Sequence, residues 1–348
     1  MRRDLVARGA IVVGLALGGV VLVGTGRAPV GVVVAEAWAQ PSAAAPSCTL
    51  RGTTPMPKGG ELWDAAAGGK LLARFTGAPL AATVSDWPAD GTGRARVATS
   101  VWQGLRIEGF AAAASLPTYT VRDVAVVPSH VWITAGQKVR VVAASAGSLT
   151  VDRAVSGSAG QTVRGVAPCE AIGLAPAGRR AVDVPGSGRG YAMKDATLEL
   201  FAEPAGAAVF TLRMTEGSGE LFWGTETRGG FVRVASRGDL ATEAWARLRD
   251  LSALKKGELM DQAIAPQTVV DGATLALDPP PPIVRATRDV PVRAHRDEKE
   301  RPIGVLEAGA EVYVMDTIAA FTSVLPKGLG LMPAEDVAFW IPTSEVPK

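Results

Sequence analysis

The sequence predicts an all-β chain made of several small barrel- or sandwich-like units behind a secretory leader. Three observations carry that prediction. Between residues 50 and 235 no long stretch keeps a helical period. Short β-branched or alternating runs recur instead, among them Leu71–Phe75, Val139–Ala143, Thr197–Phe201 and Phe231–Ala235, with Glu311–Met315 beyond. Glycine (40) and proline (24) make up about 18% of the 348 residues, which calls for many turns and short elements. The same succession of runs then returns in units of about 55–65 residues, the mark of an internal repeat.

The N-terminus reads as an address. Arg2, Arg3 and Arg8 precede an apolar, glycine-laced run from Gly9 to Gly24, and two small-x-small sites follow, Ala35-Glu36-Ala37 and Ala37-Trp38-Ala39. A positive start, an apolar core and an A-x-A site define a signal peptide, here residues 1–39. Its length, its glycines and Arg2-Arg3 resemble a twin-arginine signal, with the general secretory route as the alternative. Ile11 to Val23 is shorter than the roughly 20 apolar residues of a spanning helix, so cleavage is expected over anchoring, with no stable membrane span afterwards and a periplasmic or secreted location.

Beyond that leader, Cys48 and Cys169 are an even pair in an oxidising compartment and read as one disulfide. A lipid-modified Cys48 and two free thiols are the alternatives. Two cysteines and two separated histidines do not have zinc-site spacing, and no metal or cofactor is expected. Removing the leader's four bases and two acids leaves 32 basic and 32 acidic residues. Net neutrality argues against a nucleic-acid partner.

The recurring pattern is clearest near the C-terminus. Arg288-Asp289-Val290-Pro291-Val292-Arg293 leads through a charged turn to Ile303–Val314, then to Phe321-Thr322-Ser323-Val324-Leu325 and Ala338-Phe339-Trp340-Ile341-Pro342. It returns in Leu198–Phe201, Ala208–Leu212, Gly230–Val234 and Ala244–Leu248, more loosely in Val131–Val142 and Gly165–Leu174, and most loosely in Glu61–Trp63, Lys70–Phe75 and Gly104–Phe110. This pattern resembles bacterial SH3-like domains: an opening strand, an apolar strand ending L-x-x-G-x-x-V, an aromatic-x-x-V strand and a closing strand with an aromatic. The resemblance implies tandem small SH3-like β-barrels, with short helical or 3-10 insertions. The expected organisation is a linker at 40–57, units at 58–117 and 118–176, a linker at 177–190, a unit at 191–256, a proline-rich linker at 257–284 and a final unit at 285–348 that folds independently.

One segment conflicts with an all-β reading. Asp239 is a suitable N-cap, and Leu240, Ala244, Leu248 and Leu251 share a helical face, so periodicity favours a helix over part of 240–255 where the resemblance implies a strand or 3-10 turn.

Catalytic constellations are sparse. His130 reads as a turn residue. His295 lies in Val292–Arg301, a run of alternating charge that reads as a solvated loop tip. P-loop, metalloprotease and nucleophile-elbow patterns do not occur, and pairs such as Glu335-Asp336 or Glu298 with Glu300 are expected by chance among 32 acids. Aromatics are the remaining binding candidates, because planar side chains bury area at low entropic cost. Phe222 and Trp223 lead, as adjacent aromatics after a glycine-rich turn; Trp102 and Trp132 follow. Phe231, Trp245 and Trp340 are expected to plug cores.

The reading is an exported, non-catalytic binding or scaffolding module of the cell envelope, not an enzyme. Its partner by family analogy is a cell-wall polymer (peptidoglycan) or an envelope protein. The rivals are a hydrolase using an unrecognised carboxylate pair and a spacer subunit of an envelope assembly. Mass spectrometry of the protein recovered from its native host is expected to show a chain beginning just after Ala39; retention of residues 1–39 would refute cleavage.

Overall fold

The structure is a computed structural model, and it describes residues 48–77, 80–99, 104–176, 188–255 and 276–346. The leader, Trp102 and most of the two inter-unit linkers lie outside these residues. Among the described residues the regular structure is strands and short 3-10 turns, so the all-β expectation holds. Local sequence accounts for this. The strands bury every second side chain, as in Leu105–Ala112 and Thr162–Pro168, and glycines or prolines punctuate their ends.

One order of hydrogen-bonded ladders recurs. In the stretch 188–255 the first strand, Arg189–Met193, pairs with the fourth, Leu221–Arg228. The fourth, fifth (Phe231–Arg237) and sixth (Leu240–Arg247) form a meander. The second and third, Thr197–Phe201 and Ala208–Arg213, form a hairpin that touches the sixth at Phe201–Trp245. A 3-10 turn, Leu248–Asp250, follows, and Leu251–Ala253 returns to the first strand. The stretch 118–176 repeats the order from Thr118–Thr120 through the Val124–Val127/Val131–Ile133 hairpin to a meander of Lys138–Ser145, Ser148–Ala154 and Thr162–Pro168. It ends in the turn Cys169–Ala171 and the short strand Ile172–Gly173.

The stretch 48–117 follows suit. Gly52–Pro55 lies on Ala81–Asp86, Arg94–Thr99 and Leu105–Ala112 complete the meander, and Glu61–Trp63 with Leu71–Phe75 makes the hairpin. In 276–346 the first strand is Ile283–Arg285, the hairpin Val290–Val292/Gly304–Leu306, and the meander Glu311–Ile318, Phe321–Pro326 and Phe339–Pro342. In all four stretches the ladder between fourth and fifth strands shifts register at the same place: Val84/Asp86, Val141/Ala143, Gly224/Glu226 and Val314/Asp316. A β-bulge there bends the strand and sharpens its twist.

The stretches are not separate along the chain. The third strand of the second stretch, Val131–Ile133, pairs with the sixth of the third stretch at Leu240–Thr242. In the same way the third strand of the fourth stretch, Gly304–Leu306, pairs with the sixth of the first at Leu105–Ile107. Each contact is returned: Leu331–Pro333 pairs with Leu71–Phe75, and Ser158 bridges Met214. First and second stretches are joined by the Cys48–Cys169 disulfide, with Cα atoms 5.3 Å apart, and by Ala144 N donating to the Asp90 carbonyl. Closing a loop of 121 residues contributes about 5 kcal/mol by the chain-entropy argument.

Several expectations are corrected. Among the described residues the four sheets stay open along their strand orders, so none closes into a barrel. Residues 240–255 hold a strand and a 3-10 turn, since Leu240–Arg247 is paired along its length by Phe231–Arg237 and at its start by Val131–Ile133; two ladders outweigh a helical spacing. Three of the expected linkers contain strands or strand starts: Gly52–Pro55, Arg189 and Ile283. The described residues fall within one compact unit, and three strands of the fourth stretch, Val290–Val292, Gly304–Leu306 and Leu331–Pro333, join the sheet of the first, so the fourth stretch does not stand alone. Phe231, Trp245 and Trp340 are half-buried; Phe201, Phe222 and Phe339 fill the interior. Alternation decides this, because Phe339 takes the inner face and its neighbour Trp340 the outer one.

Gly304 shows how tight the first–fourth ladder is. A Cβ there would lie 2.0 Å from the Arg106 carbonyl oxygen and 2.9 Å from the Ile107 Cα, both backbone atoms that cannot swing away. Gly304→Val is expected to destabilise the chain by about 2–3 kcal/mol and to expose residues 276–346 to limited proteolysis. Wild-type unfolding in urea would show the fourth stretch to be independent of this ladder.

Candidate functional site

The sequence-selected aromatics do not converge on one site. Phe222 is fully buried opposite Tyr191, which removes it from contact with any ligand in the folded state. Trp223, on the opposite face, is half-buried between Gly190 and Ala235. Trp132 is half-buried in the ladder joining second and third stretches, between Ala125 and Ala241. Cys48 and Cys169 are bonded, as expected.

The chemistry-bearing residues that do converge lie on the fourth stretch. A cavity of about 730 Å³ opens between the 294–297 loop, the hairpin tip 318–321 and the 335–338 segment, with Trp340 in its lining. Its base is rigid: Arg293 and Trp340 exchange backbone hydrogen bonds of 2.9 Å each way. The Arg293 guanidinium then turns back to donate to the carbonyls of Glu298 and Glu300, which holds the loop in place. Glu300 accepts from the backbone N–H of His295 at 2.9 Å, and one of its oxygens lies 2.7 Å from His295 Nδ1. The Arg296 guanidinium sits 5.4 Å from the centre of the Trp340 ring, within cation–π range. Glu335 and Asp336 are exposed and, among the described residues, make no ion pair or side-chain hydrogen bond.

A second cavity of about 350 Å³ lies between first and fourth stretches and shares Ala294, His295 and Val337 with the first. Leu72, Phe110 and Ile303 supply its apolar lining; Lys70, Arg96, Glu108 and Arg301 supply charge. Both volumes fall in the range of ligand pockets.

His295 and the Glu335-Asp336 pair therefore border one cavity, although in sequence they read as a loop tip and a chance pair. A usable signal was present. The connection between second and third strands runs over 293–303 in the fourth stretch, against 64–70, 128–130 and 202–207 in the others, and a long loop on a rigid scaffold is where binding residues gather.

No family model matches the chain, and no curated protein does. Two solved structures are similar over part of it: NlpC2 from Trichomonas vaginalis, at 8% identity, 47% of this chain, 49% of that one and a TM-score of 0.16, and NlpC1 from the same organism, at 7%, 48%, 48% and 0.17. The match spans about half the length of each. A likeness of this size carries no argument.

The most perturbed carboxyl lies elsewhere, at the seam of second and third stretches. Glu220 is pushed up to about 7, chiefly by burial and next by the charge of Asp239, with the Ser236 hydroxyl partly opposing. Asp239 is itself held by Arg153 at 2.7 Å and by the Ser156 hydroxyl. Since the folded value exceeds the ordinary 4.5, the stability linked to neutral Glu220 is complete below about pH 4.5 and lost as pH rises through 7. Glu220→Gln is expected to gain up to about 3 kcal/mol over wild type at pH 8 and nothing at pH 4. Equal differences at both pH values in urea titrations would refute the assignment.

Proposed function

We propose that the chain is an exported binding or scaffolding protein of four tandem SH3-like modules, whose principal ligand site is the cleft beside Trp340. The observation that carries this reading is the cleft itself: an aromatic ring on a rigid strand, walled by the longest of the four equivalent loops and bordered by uncommitted carboxylates. The recurring ladder order and its shared bulge support tandem modules. The disulfide supports an oxidising, extracytoplasmic compartment. Among the described residues no helix is long and apolar enough to cross a membrane.

A cell-wall polymer, peptidoglycan, is the proposed ligand, with an envelope protein as the other partner class. Trp223 and Trp132 are secondary contact candidates through their half-exposed faces. Co-sedimentation of the purified protein with cell-wall sacculi is expected, and Trp340→Ala is expected to weaken it about 5- to 100-fold, as loss of an aromatic anchor does. Trp340→Phe keeps a ring on the same strand and is expected to restore most of the binding. Association unchanged in Trp340→Ala would refute this site. Hydrolysis of the sacculi, abolished by Glu335→Gln or Asp336→Asn, would replace binding with catalysis.

A further inference from the structure

The two cavities that meet at His295 differ in the charges they leave uncommitted. On the Trp340 side the acids outnumber the bases. Asp297 is occupied by the backbone N–H of Lys299, but Glu335 and Asp336 engage no described group. Arg296 is spread over the Trp340 ring.

Across His295 the balance reverses. Each acid there already has a partner: Asp64 accepts from the Lys70 backbone N–H at 2.7 Å, Glu108 from Arg96 and Arg106 at 3.2 Å each, and Glu300 is taken by His295. The ammonium of Lys70 and the guanidinium of Arg301 have no partner among the described residues. Lys70 comes from the first stretch and Arg301 from the fourth, so the shared ladder of Gly304–Leu306 with Leu105–Ile107 brings them to one cavity.

From this juxtaposition we infer that the ligand is a short zwitterionic peptide lying across His295, its ammonium against Glu335 and Asp336 and its carboxylate against Lys70 and Arg301. Leu72, Phe110 and Ile303 receive its apolar side chains on the carboxylate side, and Trp340 packs against it on the other. The charge-assisted contacts at the two ends are of the stronger kind and set its direction. The inference rests on the proposed cleft and deepens it: the occupant is a peptide with both ends free, and the site is complete only where first and fourth stretches meet.

Calorimetry on the full exported chain tests this with a panel of oligopeptides of two to six residues, each free, N-acetylated and C-amidated. Free peptides are expected to bind, and either cap is expected to weaken binding about tenfold. The Lys70→Ala/Arg301→Ala variant is expected to lose about tenfold for free peptides and nothing further for C-amidated ones. Glu335→Gln/Asp336→Asn is expected to show the mirror result, a loss for free peptides and none for N-acetylated ones. Binding indifferent to both caps, a variant that responds to the wrong cap, or no binding by any peptide overturns the inference. Should sacculus binding remain dependent on Trp340 in those cases, the cleft stands and only its ligand class falls; loss of both removes the cleft as well.

Discussion

A sixth strand with a divided edge is the constraint on which the rest of the structure depends. In Leu105–Ala112 one edge is paired by the fifth strand over Glu108–Ala112, and the other meets its own second strand only at Trp63–Phe110. The Leu105–Ile107 half would otherwise present bare backbone donors and acceptors, and Gly304–Leu306 from the fourth stretch fills it. Leu240–Arg247 is built the same way, meeting its own second strand at Phe201–Trp245 and borrowing Val131–Ile133 at Leu240–Thr242. A module of about 60 residues buries too little surface to be robust alone. Lending a strand enlarges the core and hides an edge at once.

That exchange also explains where the cleft lies. The 293–303 loop leaves Val292 and returns at Gly304, so both its ends are pinned in ladders, one of them shared with the first stretch. Arg293 folds back on the loop and, through its backbone, grips Trp340. Side chains mounted this way lose little further freedom on binding, which is what preorganisation means energetically. Because the borrowed strand sits beside Arg96, Glu108 and Phe110, the second cavity is a by-product of the same pairing.

The perturbed Glu220 belongs to the corresponding seam between second and third stretches. There Arg153 and Ser156 cross to Asp239, while Thr134 Oγ1 donates to the Gly238 carbonyl. Burial and the neighbouring ion-paired Asp239 raise the Glu220 carboxyl, so this seam carries a pH-sensitive group. The first–second junction is covalent instead, through Cys48 and Cys169.

Much was legible in the sequence. Short alternating runs announced the strands, since a period of two is a local property of side chains on a half-buried sheet. The even cysteine pair announced the disulfide. Phe321-Thr322-Ser323-Val324-Leu325 falls in a strand, as its pattern required. What the sequence could not decide was which strand meets which. Leu240, Ala244, Leu248 and Leu251 suit a helix or a strand equally, and only the ladders on both sides of Leu240–Arg247 settled the matter. Adjacent aromatics showed the same limit: alternation says that Phe222 and Trp223, or Phe339 and Trp340, face opposite ways, but not which member faces a cavity. The all-β class and the pairing of Cys48 with Cys169 were therefore determined by the sequence itself. The lent strands, the meeting of His295 with Glu335 and Asp336, and the choice of Trp340 were decided by tertiary structure, because edge donors and acceptors are alike in every strand and long-range packing alone selects among them.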